Sequence, residues 1–376
     1  MPASGTCPPS IFNDVIGPVM RGPSSSHCAA ALRIGRMARD LIGGTPRAVR
    51  VEFDANGSLA TTHASQGSDM GLCGGLMGWE ATDPRLPGAV RAAREAGIRV
   101  TFHIVDRGDP HPNTYRLALS GPAGRHTMIA LSTGGGAIEV IAVDGFPTMM
   151  RGDCYETLLC LAQGGKEALS YLARRADIEP SLHVHKGRDQ LIRVRGRHFL
   201  DERTVAALSS RCDLRHIARI APIMPVLTMG PCNVPFLTAT ETLAYAGHQN
   251  MALWELAMHY EAARGQMTHA QVLERMTEIV RTMRASLEAG LRGTQYADRI
   301  LGPQSLAFHE HLETGRLLDA GMLNRIVLYV SAIMEAKSAM EVIVAAPTAG
   351  SCGGLPGACL GAADAMGLGT EDVARA

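Results

Sequence analysis

The stretch LLCLAQGGKEALSYLARRADI (158–178) decides the fold of the middle of this chain. A short apolar run passes through two glycines into residues of helical composition. SLHVHKGRDQLIRVRG (181–196) follows with the character of two short strands, and DERTVAALSSRC (201–212) is a second helical stretch. This order predicts a β-α-β-β-α-β module over residues 151–221, the ferredoxin-like pattern that small regulatory modules use.

The N-terminal residues 1–150 predict a mixed α/β domain. Apolar side chains alternate at Val49, Val51 and Phe53, as they do in half-buried strands, and the alternation recurs at 100–104. SGPAGR (120–125) predicts a hairpin turn between two further strands. AVRAAREAGI (89–98) has a helical composition that stops near Gly97.

Residues 222–376 predict an all-α domain that begins within a proline-bearing linker at 221–235. Thr268 and Gln271 have capping-box spacing at the start of an apolar-striped helix that Gly290 can close. A second helix is predicted from about Asp319, and it leads into the small-residue loop PTAGSCGGLPG (347–357). The fold class is therefore α+β, with a mixed N-terminal domain, a small ferredoxin-like module and an all-α C-terminal domain.

The composition argues against several classes of protein. The 36 basic and 36 acidic residues cancel, and no basic tract indicates a nucleic acid or an anionic membrane surface. No apolar run approaches the roughly 18 residues of a membrane span, and we expect no signal peptide. The nine cysteines are scattered without a C-x-x-C pair. That usage predicts a cytoplasmic protein whose cysteines are mostly buried apolar residues.

The segment GPSSSH (22–27) is the first candidate for chemistry. Ser24, Ser25, Ser26 and His27 precede an apolar-striped helix, whose first N–H groups carry a partial positive charge. Hydroxyls and an imidazole at such a position suit a small carboxylate. An ordinary serine cap is the alternative for this segment taken alone.

Three loops are further candidates. In DPHPNT (109–114), His111 and Asn113 have groups that donate to a ligand, although a proline turn with a surface histidine is an equal alternative. STGGGAIEV (132–140) would let backbone approach a ligand, but it lacks the Lys-Ser/Thr of a phosphate loop. APTAGSCG (346–353) leaves space beside Cys352 for an inorganic group, with a buried structural cysteine as the alternative.

Together these segments resemble one family, the iron–sulfur-dependent L-serine dehydratases. Residues 11–150 are similar to the family's β domain through IGPVMRGPSSSH (16–27), GSLATT (57–62), HPNT (111–114) and STGGGAIEV (132–140). Residues 152–220 lie where many members carry an ACT-like regulatory module. Residues 236–376 resemble the first part of the catalytic α domain, with LEAGL (287–291) and the 346–353 loop as landmarks.

The resemblance implies a lyase that converts L-serine into pyruvate and ammonia. It implies a [4Fe–4S] cluster held by three thiolates, with one iron open as a Lewis acid for the substrate hydroxyl. Cys352 would be a cluster ligand. The substrate-binding residues implied are Ser24, Ser25, Ser26, His27, Ser68, Asp69, His111, Asn113, Thr348 and Gly350.

The sequence departs from the family at a candidate base. The family reads His-Gly-Thr-Asp where this chain has Gln66, Gly67, Ser68 and Asp69, and glutamine cannot exchange a proton near neutrality. His63 is the candidate catalytic residue in its place. If the segment is extended, however, His63 faces away from position 66 and has no role.

The resemblance also implies that the α domain is incomplete here, since the family's other cluster cysteines lie in a later segment. We therefore expect either a homodimer or a complementing chain that carries the rest of the α domain. The expected ligand is a small amino acid, with no nucleic acid and no membrane as partner. β-Elimination from cysteine, threonine or a biosynthetic intermediate is the second enzymatic hypothesis. A cluster-less amino-acid-binding or regulatory protein is the third.

Overall fold

The computed structural model describes residues 7–185, 189–230, 232–247, 250–296 and 302–376. Residues 1–6 of the predicted N-terminal domain and Pro231 of the predicted linker lie outside this part. The chain divides into two compact units. The sheet unit comprises residues 26–80 and 88–230, and the helical unit comprises residues 1–25, 81–87 and 231–376. The three-domain division at 150 and 221 stays a prediction.

The strands of the described residues are, in chain order, β1 Val19–Met20, β2 Ala48–Asp54, β3 Arg99–Val105, β4 Thr114–Gly121, β5 Gly124–Gly134, β6 Ala137–Val143, β7 Phe146–Met150, β8 Tyr155–Leu161, β9 Ile178–His185, β10 Asp189–Gly196, β11 Leu214–Ile220 and β12 Ile343–Val344.

The α-helices are α1 Ala30–Leu41, α2 Leu59–Thr62, α3 Ser68–Leu76, α4 Ala89–Glu95, α5 Gly165–Leu172, α6 Glu202–Ser209, α7 Ala239–Ala246, α8 Leu253–Gly265, α9 His269–Leu291, α10 Gln304–Glu313, α11 Met322–Ser338, α12 Gly354–Met366 and α13 Thr370–Arg375. Within the described residues, every helix is too short or too polar to cross a bilayer.

The sheet unit contains a six-stranded sheet in the order β3-β2-β4-β5-β6-β7. Strands β2 and β3 are parallel, with α2, α3 and α4 between them in the chain, and the other pairs are antiparallel. The alternating Val49, Val51 and Phe53 are all buried, as predicted. The predicted hairpin is confirmed between β4 and β5, where Gly121 pairs with Gly124.

The second sheet of this unit is four-stranded, fully antiparallel and ordered β11-β8-β10-β9. With α5 and α6, its elements follow the predicted β-α-β-β-α-β order. Apolar side chains from β8, both helices and β10 form its core, among them Leu159, Leu172, Ile192 and Leu208. A regulatory role for this ACT-like region stays a prediction.

Helices α1 and α3 approach each other closely because glycines form the contact. A Cβ atom placed on Gly71 would lie 2.1 Å from the carbonyl oxygen of Cys28, and one on Gly75 would lie 2.1 Å from that of Leu32. Gly35 on α1 faces α3 in the same way. The side chains of α1 that face the sheet, such as Ile34 and Met37, are fully buried.

In the helical unit, α9 begins with the predicted capping box between Thr268 and Gln271. The prediction that Gly290 closes this helix is wrong, because α9 continues to Leu291. Gly290 serves a close approach instead: a Cβ there would lie 2.0 Å from the carbonyl oxygen of Ala332 on α11. The second predicted helix is α11, which starts at Met322, three residues after Asp319.

The cysteines depart from the sequence expectation at one place. Cys7 and Cys232 form a disulfide with a Cα–Cα distance of 5.5 Å. Their separation of 225 residues leaves no local pattern that predicts the pair. The other seven cysteines are free, and Cys28, Cys73 and Cys154 are among the buried ones.

A partly buried ion pair in the sheet unit makes stability depend on pH. Nδ1 of His126 donates to Asp144 at 2.7 Å, and this hydrogen bond raises the pKa of His126 above its ordinary value. Because the folded state holds the proton more tightly, the stabilisation is full below about pH 6.5 and is lost as pH rises through the raised pKa.

We therefore expect Asp144→Asn to lower the free energy of unfolding by about 1.5–3 kcal/mol at pH 6 and by less at pH 9. Asparagine tolerates the positive φ of 50° at this position. The measurement is urea unfolding of both proteins at each pH. The substitution also acts on nearby His216, because Asp144 works against the lowering of the His216 pKa by burial. An equal difference at both pH values would contradict this account.

Candidate active site

His27 lies in the π-helical turn Ser25–Ala29 that leads into α1. Its Nε2 is 2.9 Å from the Thr62 hydroxyl oxygen. Because that hydroxyl gives its one proton to the Ser58 carbonyl at 2.6 Å, it accepts from His27 Nε2–H. Burial lowers the pKa of His27, so the ring is neutral near pH 7. The turn therefore presents a neutral imidazole in a fixed tautomer.

The 111–114 loop is hydrogen-bonded to the segment that carries Ser58 and Thr62. Ser58 Oγ donates to Oδ1 of Asn113, and Ser58 N–H donates to the Pro112 carbonyl at 3.0 Å. The Asn113 N–H donates to Nδ1 of His111 at 3.2 Å. His111 therefore carries its proton on Nε2 when neutral. Nδ2 of Asn113 has no partner among the described residues, so this loop offers two side-chain donors.

Ser132, the first residue of the glycine-rich stretch, joins the two segments. Its N–H donates to the Asn113 carbonyl at 3.1 Å, and its hydroxyl donates to the Ser26 carbonyl at 2.6 Å. Three motifs far apart in the sequence thus meet through Ser26, Asn113 and Ser132 within the sheet unit. The structure brings these together, while their binding of a substrate stays a prediction.

The extended reading of residues 61–69 is wrong. Residues 59–62 form α2, and His63 continues with helical φ and ψ of −55° and −44°. Gly67 then adopts the left-handed conformation with φ of 85°. This turn brings the chain back, so the His63 carbonyl accepts from the N–H groups of Ser68 and Asp69. Residues in a helical turn do not alternate between two faces, so the expectation that His63 faces away from position 66 does not apply.

The turn places His63 beside Asp69. Nδ1 of His63 lies 2.7 Å from Oδ1 of Asp69, and the two side chains are 20% and 17% exposed. The imidazole packs against the rings of Phe53 and Phe102, with centroid distances of 5.1 and 5.7 Å. Burial raises the pKa of Asp69, and the hydrogen bond from His63 acts against that rise.

Ser68 lies in the core of the sheet unit. It is fully buried, and its hydroxyl is 2.9 Å from that of the equally buried Tyr115. Sequence reasoning did not single out Thr62, Ser58, Ser132 or Tyr115 as functional candidates. Thr62 and Ser58 are part of the GSLATT landmark, but only the folded turn shows that they connect His27 to Asn113.

In the helical unit, the 346–353 loop holds three other predicted residues. Thr348 caps the short 3₁₀ helix Ala349–Cys352, where its side chain accepts from the Ser351 N–H, and both Thr348 and Gly350 are exposed. Ser25 belongs to this unit and accepts from the Ala349 N–H at 3.3 Å. Ser24 precedes it in the chain, and its predicted role is not decided by these contacts.

Cys352 is fully buried, and its sulfur lies 3.9 Å from the sulfur of Met334. Burial raises the pKa of its thiol to about 11. The described residues contain no group of three or more His, Cys, Asp or Glu side chains placed to hold a metal. Cys359, seven residues after Cys352, lines an apolar cavity of about 520 Å³ between α8, α9 and α13. The part of the chain that the structure describes therefore does not fit a complete [4Fe–4S] site.

Comparisons with known proteins find similarity to both the alpha chain and the beta chain of L-serine dehydratases. Residues 248–376 match the family model described as "Serine dehydratase alpha chain". The L-serine dehydratase beta chain of Peptoniphilus asaccharolyticus is 35% identical over 162 residues, which are 43% of this chain and 72% of that protein. The chain belongs to the L-serine dehydratase family.

A second relative of this serine dehydratase family member is the probable L-serine dehydratase beta chain of Bacillus subtilis (strain 168). It is 41% identical over 144 residues, which are 38% of this chain. The chain spans 64% of that beta chain's length. One polypeptide thus combines similarity to two beta chains with a match to the alpha-chain model.

Proposed function

We propose that this chain forms the substrate-binding part of an L-serine dehydratase, which converts L-serine into pyruvate and ammonia. One observation carries the proposal. The segments of His27, Asn113 and Ser132 are joined by direct hydrogen bonds, in a chain that belongs to this family. Hydrogen-bond donors gathered on one site suit a small carboxylate substrate.

The side chains of this site have two roles: some bind the substrate carboxylate, and others hold the binding loop in place. Nε2–H of His111 and the amide of Asn113 are available to the serine carboxylate, and neither group brings a negative charge to it. His27 stays neutral and holds Thr62, which in turn fixes the turn that carries Ser58. In this proposal the substrate is oriented chiefly by the 111–114 loop, and His27 supports that loop through Thr62 and Ser58.

Cys352 is proposed as the one cluster ligand that this part of the chain supplies. The remaining thiolates would come from outside the described residues, and we propose that a complementing alpha chain supplies them. The names of the two relatives, both beta chains, support such a partner. Substitution of Cys352 by serine would then remove the cluster while leaving amino-acid binding by the sheet unit intact.

The test is pyruvate release from L-serine by the chain assembled anaerobically with that polypeptide. We expect Thr62→Val to raise KM for serine roughly fivefold to tenfold, because a net hydrogen bond contributes about 1 kcal/mol. Thr61→Val is the matched control, since Thr61 is the exposed neighbour on the same helix. Both variants replace a hydroxyl by a methyl group on α2.

Other outcomes separate the alternatives. Pyruvate or a related keto acid from cysteine or threonine, but not from serine, would favour elimination from another amino acid. Serine binding by calorimetry without turnover in any assembly would favour a non-catalytic amino-acid-binding protein. Equal KM values for Thr62→Val and Thr61→Val would contradict the proposed role of the His27–Thr62 contact.

A further inference from the structure

The His63–Asp69 pair has the geometry of a base and the residue that orients it. When the His63 ring is neutral and donates from Nδ1 to Asp69, Nε2 keeps the free electron pair. Nε2 has no hydrogen-bond partner among the described residues. Phe53 and Phe102 support the ring, and its side chain remains partly accessible.

The local backbone fixes this arrangement independently of the side chains. The His63 carbonyl accepts from the Ser68 and Asp69 N–H groups, so the two residues are tied together at both main chain and side chain. Asp69 lies in the first turn of α3, and the hydrogen bond from His63 acts against the rise that burial causes in the pKa of Asp69. The left-handed Gly67 makes the turn possible.

Among the described residues in contact with or within electrostatic reach of Asp69, His63 is the one imidazole. Cys73 and Tyr115 are within electrostatic reach of Asp69, and burial raises both of their pKa values, to about 12 for the Cys73 thiol. Both groups are therefore uncharged near neutrality. Gln66 in the same turn has no titratable group. Among the described residues, Asp69 is the charged side chain in contact with the His63 ring.

We infer that His63 is the general base of this site and that Asp69 is its positioning residue. The inference rests on the dehydratase function proposed above. Nε2 of His63 takes the α-proton of serine, and the electrons of the C–H bond form the Cα=Cβ double bond. The Cβ–O bond breaks, and hydroxide leaves with its electron pair. The hydroxide takes the proton from His63 and becomes water, and aminoacrylate remains.

The test uses the complete assembly and compares His63→Ala, Asp69→Asn and wild type. General-base contributions are typically about 10²–10⁴-fold, so His63→Ala should lower kcat by that factor with KM for serine little changed. Added imidazole should restore part of the lost rate, which no structural role of His63 predicts. His103→Ala on β3 is the matched control, since His103 is a half-exposed histidine that contacts Thr101.

Asp69→Asn tests the positioning role. We expect a loss in kcat of about 10–100-fold, the usual effect of removing an orienting partner of a functional histidine. His63 should also lose its fixed tautomer, because the Asp69 carboxylate no longer holds the proton on Nδ1. A ¹⁵N NMR spectrum of the histidines in the chain alone should show this change in the His63 tautomer, without any need for turnover.

The outcomes distinguish this inference from the proposed function. If wild type releases no pyruvate from serine, the dehydratase function fails and this assignment fails with it. If wild type is active and His63→Ala keeps its kcat, the function stands and the base is another group. A loss of kcat that imidazole does not restore, together with an unchanged His63 tautomer in Asp69→Asn, would also overturn the assignment.

Discussion

Alanine at Gly71 is expected to lower the free energy of unfolding of the sheet unit by about 1–3 kcal/mol, the usual cost of overpacking. The added Cβ would lie 2.1 Å from the Cys28 carbonyl oxygen and 3.1 Å from the Cys28 Cα. Both atoms are backbone, so no side chain can rotate away. Relief requires α1 and α3 to separate at the residue that follows His27.

The same displacement should weaken the candidate site. Movement of Cys28 shifts His27, whose contact with Thr62 depends on a distance of 2.9 Å. We therefore expect Gly71→Ala to raise KM for serine in the assembly as well as to lower the urea midpoint. Gly88→Ala is the matched control, since its nearest neighbour would be an arginine terminus 4.0 Å away. Equal midpoints for the two variants would show that the helices adapt without cost.

The Gly71 contact also shows why part of this fold could not be read from the sequence. The α3 sequence, SDMGLCGGL, contains three glycines, and each costs about 1 kcal/mol relative to alanine in a helix. Local propensity therefore argues against α3. Close packing against α1 outweighs that propensity, and it is possible only because the contacting residues are glycines without a Cβ atom. The α9 helix was predictable because its capping box and apolar stripe agree with each other.

The candidate site, like the fold, has parts that local sequence signals predict and parts that depend on tertiary contacts. The motifs around His27, Asn113 and Ser132 were recognisable as candidates, but their meeting depends on hydrogen bonds between distant segments. The sequence prediction for residues 61–69 is wrong because the alternation of strand residues does not hold in a helical turn. Neither the left-handed Gly67 nor the His63–Asp69 contact has a periodic signal that sequence analysis could use.

Glu156→Ala is expected to have the largest effect on stability, a loss of about 3–5 kcal/mol in the free energy of unfolding. Glu156 on β8 is fully buried and accepts two hydrogen bonds from Arg193 on β10, at 2.5 and 2.8 Å. Arg193 is only 11% exposed. Burial raises the pKa of Glu156, and the two hydrogen bonds from Arg193 act against that rise. Removal of the carboxylate leaves a guanidinium in the sheet without a counter-charge.

The experiment separates the cost of an unpaired charge from the value of the pair. Replacing both residues, as in Glu156→Leu with Arg193→Met, should recover most of the loss, because paired charges gain little over well-packed apolar groups. Asp189→Ala is the matched control, since Asp189 and Arg215 form an exposed pair in the same sheet with both side chains 61% exposed. That substitution should cost no more than about 1 kcal/mol. The measurement is urea unfolding of the four proteins. If the double variant is as unstable as Glu156→Ala, the pair itself stabilises the sheet, and the unpaired-charge account is wrong.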